Sequence, residues 1–152
     1  MHVGTYLGLL LKTEEGLAKA FSTVAKRHAR QLDVEHPCEL FSGWSHDNAE
    51  ALLPFTRQYG SSGGREPQQL YHDLFDHRDV ASLALLRDLR HLWLMVQDAH
   101  IIWTVVLQTA SALRNEELKA LCTQAQEHNH RQLIWLRTRI KSGAPQTLIA
   151  GP

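Results

Sequence analysis

The stretch GSSGGREPQQLYHDLFDH, Gly60 to His77, separates two pairs of long helical segments, and its reach decides how they assemble. Its first eight residues form the one flexible, low-complexity run of the chain. From Pro67 onward, Leu70, Tyr71, Leu74 and Phe75 recur at helical spacing and predict a short helix with one sticky side. The whole connection is about 20 residues, and when extended it covers the ~40 Å of a helix of about 27 residues. If it runs the length of a bundle, the third long helix starts beside the start of the second. If it stays at one end, the order is up-down-up-down. Either way the expectation is all-α: an antiparallel four-helix bundle with a long crossover carrying a short helix.

Upstream, the 3.6-residue period predicts a first helix over about 5–31, with Tyr6, Leu10, Leu17, Phe21, Val24, Ala25 and Leu32 on one stripe. The run DVEHP reads as a break, and Pro37 suits the first turn of a second helix ending near Gly60. That helix turns Cys38, Phe41, Trp44, Leu52 and Phe55 inward, with a kink expected at Pro54. Downstream, Asp79 is expected to cap a third long helix reaching about Ala112. Asn115 caps the fourth, with Glu116 and Glu117 in its positively polarised first turn. Gly143 and Pro145 are expected to end it, leaving a short tail from about residue 144 of a single domain, 1–152.

Composition removes several classes of function. Lysine plus arginine number 16, as do aspartate plus glutamate, so no net field draws the chain to nucleic acid or to an acidic membrane. No apolar run approaches the ~20 residues of a membrane span. The N-terminal MHVGTYLGLLLKTEEG lacks a basic lead-in and a small-residue cleavage site, so no secretory signal is expected. Cys38 and Cys122 lie far apart on apolar faces and read as buried thiols of a reducing compartment. The expectation is a cytoplasmic protein that binds neither nucleic acid nor membrane. The ten histidines are the compositional oddity.

Candidate site residues come from helical phase. The fourth helix spells Glu-x-x-His at Glu127 and His130, as carboxylate-bridged iron proteins do. Its apolar stripe, however, runs through Leu118, Leu121, Cys122, Ala125, Leu133, Leu136 and Ile140. At roughly 100° per residue, Asn129 and Gln132 fall near the stripe's centre, His128 on its edge, Glu127 nearly opposite and His130 to the side. The same test turns Glu14, His28, Ser45, Asn48 and His100 inward, and Glu15, His46, Glu50 and Asp98 outward. Inward polar groups need partners.

Folding the last two helices about their short turn places His100 opposite His128. With a full-length crossover, Glu14 comes within about a turn of that pair; in the other topology His28 and Cys38 do. Glu14, His100 and His128 are therefore the candidate ligands of a mononuclear metal, Zn²⁺ or Fe²⁺, with His28 substituting in the alternative topology. A small ligand, or a hydrogen-bonded layer that fixes register, fits the same residues. Trp44, Trp93 and Trp103 point toward that layer. On the crossover, His72/Asp76 and Asp73/His77 sit one turn apart on a polar face.

The third long helix has a second apolar face, Leu94, Ile101 and Val105, flanked by Met95 and Ile102. A helix apolar on two sides is covered by something else. The crossover segment or a second subunit would serve, and a homodimer through this helix and the crossover is expected.

The two-hairpin layout resembles the ferritin-like superfamily over most of the chain. The segments WLRTRIKSGAPQTL, VAKRHA and GWSHDNAEAL are similar to those of small, uncharacterised bacterial ferritin-like proteins. The resemblance implies a four-helix bundle with a long crossover and no agreed activity. The superfamily's iron motif asks for Glu on the first and third helices and Glu-x-x-His on the second and fourth; only Glu127 with His130 spells it here. HNHRQL is also similar to the last helix of DinB-like bundles, which implies a three-histidine mononuclear site.

Overall fold

A computed structural model of the chain describes residues 1–62, 64–76 and 81–150. Five helices account for nearly all of them: α1 (Val3–Arg27), α2 (Leu32–Tyr59), α3 (Glu66–Phe75), α4 (Ala81–Ala112) and α5 (Glu116–Leu148). No strand occurs among the described residues. Asp79, expected to cap the third long helix, and His77 lie outside them.

The amphipathic stripes pack as a helical bundle around Leu7, Leu10, Leu17, Phe21, Leu52, Leu89, Leu92, Trp103, Leu118 and Leu136, all at most 1% exposed. α1 packs on α2 and α4, and α5 packs on α4 and more loosely on α2. Large rings widen the α2–α5 seam: Phe41 lies 5.6 Å from Trp135 and Trp44 lies 4.8 Å from His128, centroid to centroid.

Pairwise bonds fix helix directions. Ser42 Oγ donates to Ala18 O, and Tyr59 and Gly60 reach Gly4, so α1 and α2 are antiparallel. Trp103 meets Glu14 and Asp88 meets Arg27 and His28, so α1 and α4 are antiparallel too. Asn115 meets Tyr59 and Arg139 meets Asp33, which runs α5 against α2. α3 lies along α1. Ser62 N donates to Gly4 O, the Thr23 and Tyr71 hydroxyls are 2.9 Å apart, and Arg27 donates to Phe75 O.

The start of this strap sits very close to α1. A Cβ on Gly8 would lie 2.7 Å from Ser62 O, and one on Gly4 would lie 2.8 Å from Gly60 O. Only glycine lets the two backbones approach so closely.

Three expected boundaries differ, the first being the end of α1 at Arg27 and not near residue 31. α2 begins at Leu32, so DVEHP is its first turns and not a break, and Pro37 is an interior residue. Leu32 is consequently exposed and not part of the first helix's stripe, and Tyr6 is 43% exposed. α5 continues through Gly143 and Pro145 to Leu148, where a tail was expected. Each proline deprives only the carbonyl four residues earlier. Asp33 and Lys141, the residues concerned, are exposed, so water takes over. The turn between α4 and α5 matches expectation: Asn115 Oδ1 accepts from Leu118 N at 3.0 Å, capping α5.

Candidate functional site

Midway along the bundle, a polar layer crosses the apolar core. Glu14 comes from α1, where Leu10 and Leu17 one turn to either side force position 14 inward. It is fully buried. Its Oε1 accepts from Trp103 Nε1 of α4 at 2.7 Å. Ser45 and Asn48 of α2 and Asn129 of α5 also face the carboxyl. Ser45 and Asn129 are fully buried and Asn48 is nearly so.

Burial drives the Glu14 carboxyl up from 4.5 to about 7, and the Trp103 bond, followed by Asn48, Ser45 and Asn129, resists that rise. Among the described residues, Glu14 Oε2, Asn48 Nδ2 and Asn129 Oδ1 are buried without a completed hydrogen bond. These are two acceptors and one donor, contributed by three helices. Gln132 extends the layer: its Nε2 lies 3.4 Å from both Phe41 O and Ser45 Oγ, and its Oε1 lies 3.4 Å from Asn129 Nδ2. At such lengths the bonds are weak.

Burial thus favours the neutral form of Glu14, in a layer where Asn48 Nδ2 and Asn129 Oδ1 also stay without a completed bond.

The structure does not bring Glu14, His100 and His128 together as a ligand set. Glu14 turns to Trp103. His128 turns to the α2–α5 seam, where its Nδ1 is 3.4 Å from Asn48 Oδ1 and its ring stacks on Trp44. Burial, followed by the Arg131 charge, pushes the His128 imidazole down, while Glu127 and Asp47 oppose that. His100 sits about one turn along α4 from Trp103, its Nδ1 buried without a partner among the described residues. No group of three or more His, Cys, Asp or Glu side chains among the described residues is placed to hold a metal ion. Zn²⁺ and Fe²⁺ favour imidazole, thiolate and charged carboxylate together. The neighbours of Glu14 are neutral amides, a hydroxyl and an indole, which do not fit such an ion.

His28 lies at the far end of the bundle in a cluster that sequence phase missed. Asp88, 4% exposed, takes Arg27 Nη1 on Oδ1 at 3.3 Å and His28 Nε2 on Oδ2 at 2.8 Å. A signal existed: Asp88 precedes Met95 by seven residues and Met95 precedes Ile102 by seven, so the three share the face turned to α1 and α3. Cys38 and Cys122 are buried and unpaired, and burial pushes both thiols up to about 12, so neither supplies a thiolate.

The outward assignments are as expected. Glu127, His130, Glu15, His46 and Glu50 are exposed, with His46 and Glu50 3.3 Å apart. His72 and Asp76 pair at 2.7 Å on the exposed side of α3. Asp98, expected to point outward, is half-buried, and its carboxyl is raised by burial and then by the Glu66 charge.

α4 carries the remaining candidate surface. Its Met95 and Ile102 are buried, whereas Leu94, Ile101 and Val105 are 45%, 58% and 39% exposed. Beside them runs a groove of about 380 Å³ between α1, α3 and α4, with Tyr6, Leu9, Leu70 and Ile101 on its walls and Glu66 and Asp98 at its rim. No helix among the described residues is long and apolar enough to cross a membrane. No family model matches the chain, and no curated protein or solved structure matches it.

Proposed function

We propose that this chain is a ferritin-like four-helix bundle that works as a self-associating interaction module through the outer face of α4. The carrying observation is the run of Leu94, Ile101 and Val105 at the surface of a helix whose other sides are already packed. Support for the ferritin-like topology comes from α3. With the residues leading into it from Ser62, it follows α1 from Gly4 to Arg27, the path a full-length crossover takes, and α4 then starts at the end of the bundle where α2 starts. The polar layer serves such a module by fixing helix register, since every member must find its cross-helix neighbour.

The test is mass in solution. Wild type is expected to sediment as a dimer at sufficient concentration, and Leu94→Glu as a monomer with unchanged helicity. Leu94 is 45% exposed, so the substitution leaves the fold intact. Equal masses for the two proteins overturn the reading.

A second reading is favoured by the three unpaired atoms at Glu14, Asn48 and Asn129. Under it the layer holds a small hydrogen-bonding ligand and not a transition metal. Native mass spectrometry is then expected to show a stoichiometric adduct that Glu14→Gln loses. Bare chain mass in both proteins, with no metal by elemental analysis, counts against it.

A further inference from the structure

The outer face of α4 has a symmetry that names its occupant. Leu83, Arg90, Leu94, Ile101, Val105 and Gln108 are all exposed. At 100° per residue they fall within about 60° of arc, forming one straight stripe. Leu94 is its centre. Leu83 and Val105 lie eleven residues, about three turns, to either side of it. Arg90 lies four residues before it and Asp98 four residues after. Leu83 and Val105 are thus mirrored about Leu94, and Arg90 and Asp98 are mirrored with inverted sign, while Ile101, seven residues after Leu94, is mirrored by Arg87, seven before it.

A two-fold interface uses such pairs, because residue i of one copy meets residue j of the other and the reverse. Among the described residues neither Arg90 nor Asp98 is in an ion pair, and Glu66 of α3 beside Asp98 makes that half of the stripe more acidic.

We infer that a second copy of this chain covers the stripe, its α4 antiparallel to the first and the two-fold axis at Leu94. Arg90 of each copy then faces Asp98 of the other, Leu83 faces Val105, and the two Leu94 side chains meet on the axis. A parallel pairing would set Arg90 against Arg90 and Asp98 against Asp98. This inference rests on the self-association proposed above and adds its register.

The size of the patch sets the working range. A strip ~33 Å long and one helix diameter wide buries ~400 Å² per copy, which belongs to the weak, reversible class of interface. Association is therefore read at roughly 10–200 µM, not at nanomolar concentration.

The experiment combines charge exchange with cross-linking on the full chain. Asp98→Arg and Arg90→Asp are each expected to weaken the dimer by about tenfold, and the double exchange to restore it to within about twofold. Leu94→Cys is expected to form a disulfide-linked dimer on mild oxidation, and Leu83→Cys is not, since its counterpart lies ~33 Å away. The native thiols do not interfere, as Cys38 and Cys122 are buried. A dimer that ignores both charge changes, or that cross-links through residue 83 and not 94, overturns the register and leaves self-association standing. A wild type that stays monomeric throughout the range, including one that waits for a different partner, overturns both.

Discussion

Replacing Glu14 with glutamine isolates the proton in the core. A carboxyl that titrates near 4.5 in the unfolded chain and at about 7 in the folded one is held neutral by the fold. The folded state then binds more protons than the unfolded state between those values, so stability falls as pH rises through that window. The contribution is fully present below pH 4.5 and lost once pH passes 7. Its size is about 3 kcal/mol, from roughly 1.4 kcal/mol per tenfold change in proton affinity.

Glutamine has the shape and neutrality of the protonated acid. Its oxygen can accept from Trp103 Nε1, and its amide can donate to Asn129 Oδ1, which has no donor. The expected result is therefore a pH-dependent difference. Glu14→Gln matches wild type near pH 4.5 and is more stable by about 3 kcal/mol at pH 8. Urea denaturation followed by tryptophan emission at steps between pH 4.5 and 8.5 measures it. All other titrating groups are common to both proteins and cancel. Glu14→Leu is the contrast: it strands Trp103 Nε1 without an acceptor and is less stable than Glu14→Gln by about 1–3 kcal/mol at every pH. A wild-type–glutamine difference that is flat with pH refutes the assignment of the proton to Glu14.

Two further substitutions test the scaffold around the layer. Asp88→Ala removes the acceptor of His28 and Arg27 at the end of the bundle and leaves a buried imidazole unanswered, so a loss of about 2–3 kcal/mol by thermal or chemical denaturation is expected. A loss below about 0.5 kcal/mol would mean that the cluster is dispensable. Gly8→Ala sets two effects against each other. Helix propensity gains about 1 kcal/mol, while a methyl 2.7 Å from Ser62 O costs about 1–3 kcal/mol, so the net is destabilising. Gly43→Ala on the exposed side of α2, with nothing within 4 Å of the new methyl, provides the control and should be stabilising. The same sign at both positions would show that the crossover does not press on α1.

How far the sequence reached follows from what a helical angle can resolve. α1, α2 and α5 are each apolar on one side, so their stripes have a definite centre. On them the angle placed Glu14, Ser45, Asn48, Asn129 and Gln132 inside and Glu127 and His130 outside, as the structure does. α4 is buried over a broad arc of roughly 160° at 100° per residue, from His91 and Ile102 on one side to Leu89 and Val96 on the other. A stripe that wide has no sharp centre, which is why Asp88 and His91 escaped notice and why Asp98 is half-buried. Proline positions misled for a related reason: Pro37 and Pro145 lie inside helices, at places where the residues four earlier, Asp33 and Lys141, are exposed.

The angle also fixes where a side chain leaves its helix but not which neighbour it takes. Glu14 and His128 leave toward the same layer, yet one turns to an indole on α4 and the other to an amide and an indole on α2. That choice separates a proton-holding layer from a metal site. It is decided by the widths of facing side chains, which a single helix's periodicity does not contain. The outer stripe of α4 is the opposite case. Its order of Leu83, Arg90, Leu94, Asp98 and Val105 is entirely in the sequence, and becomes meaningful only once the fold leaves that one arc of the helix uncovered.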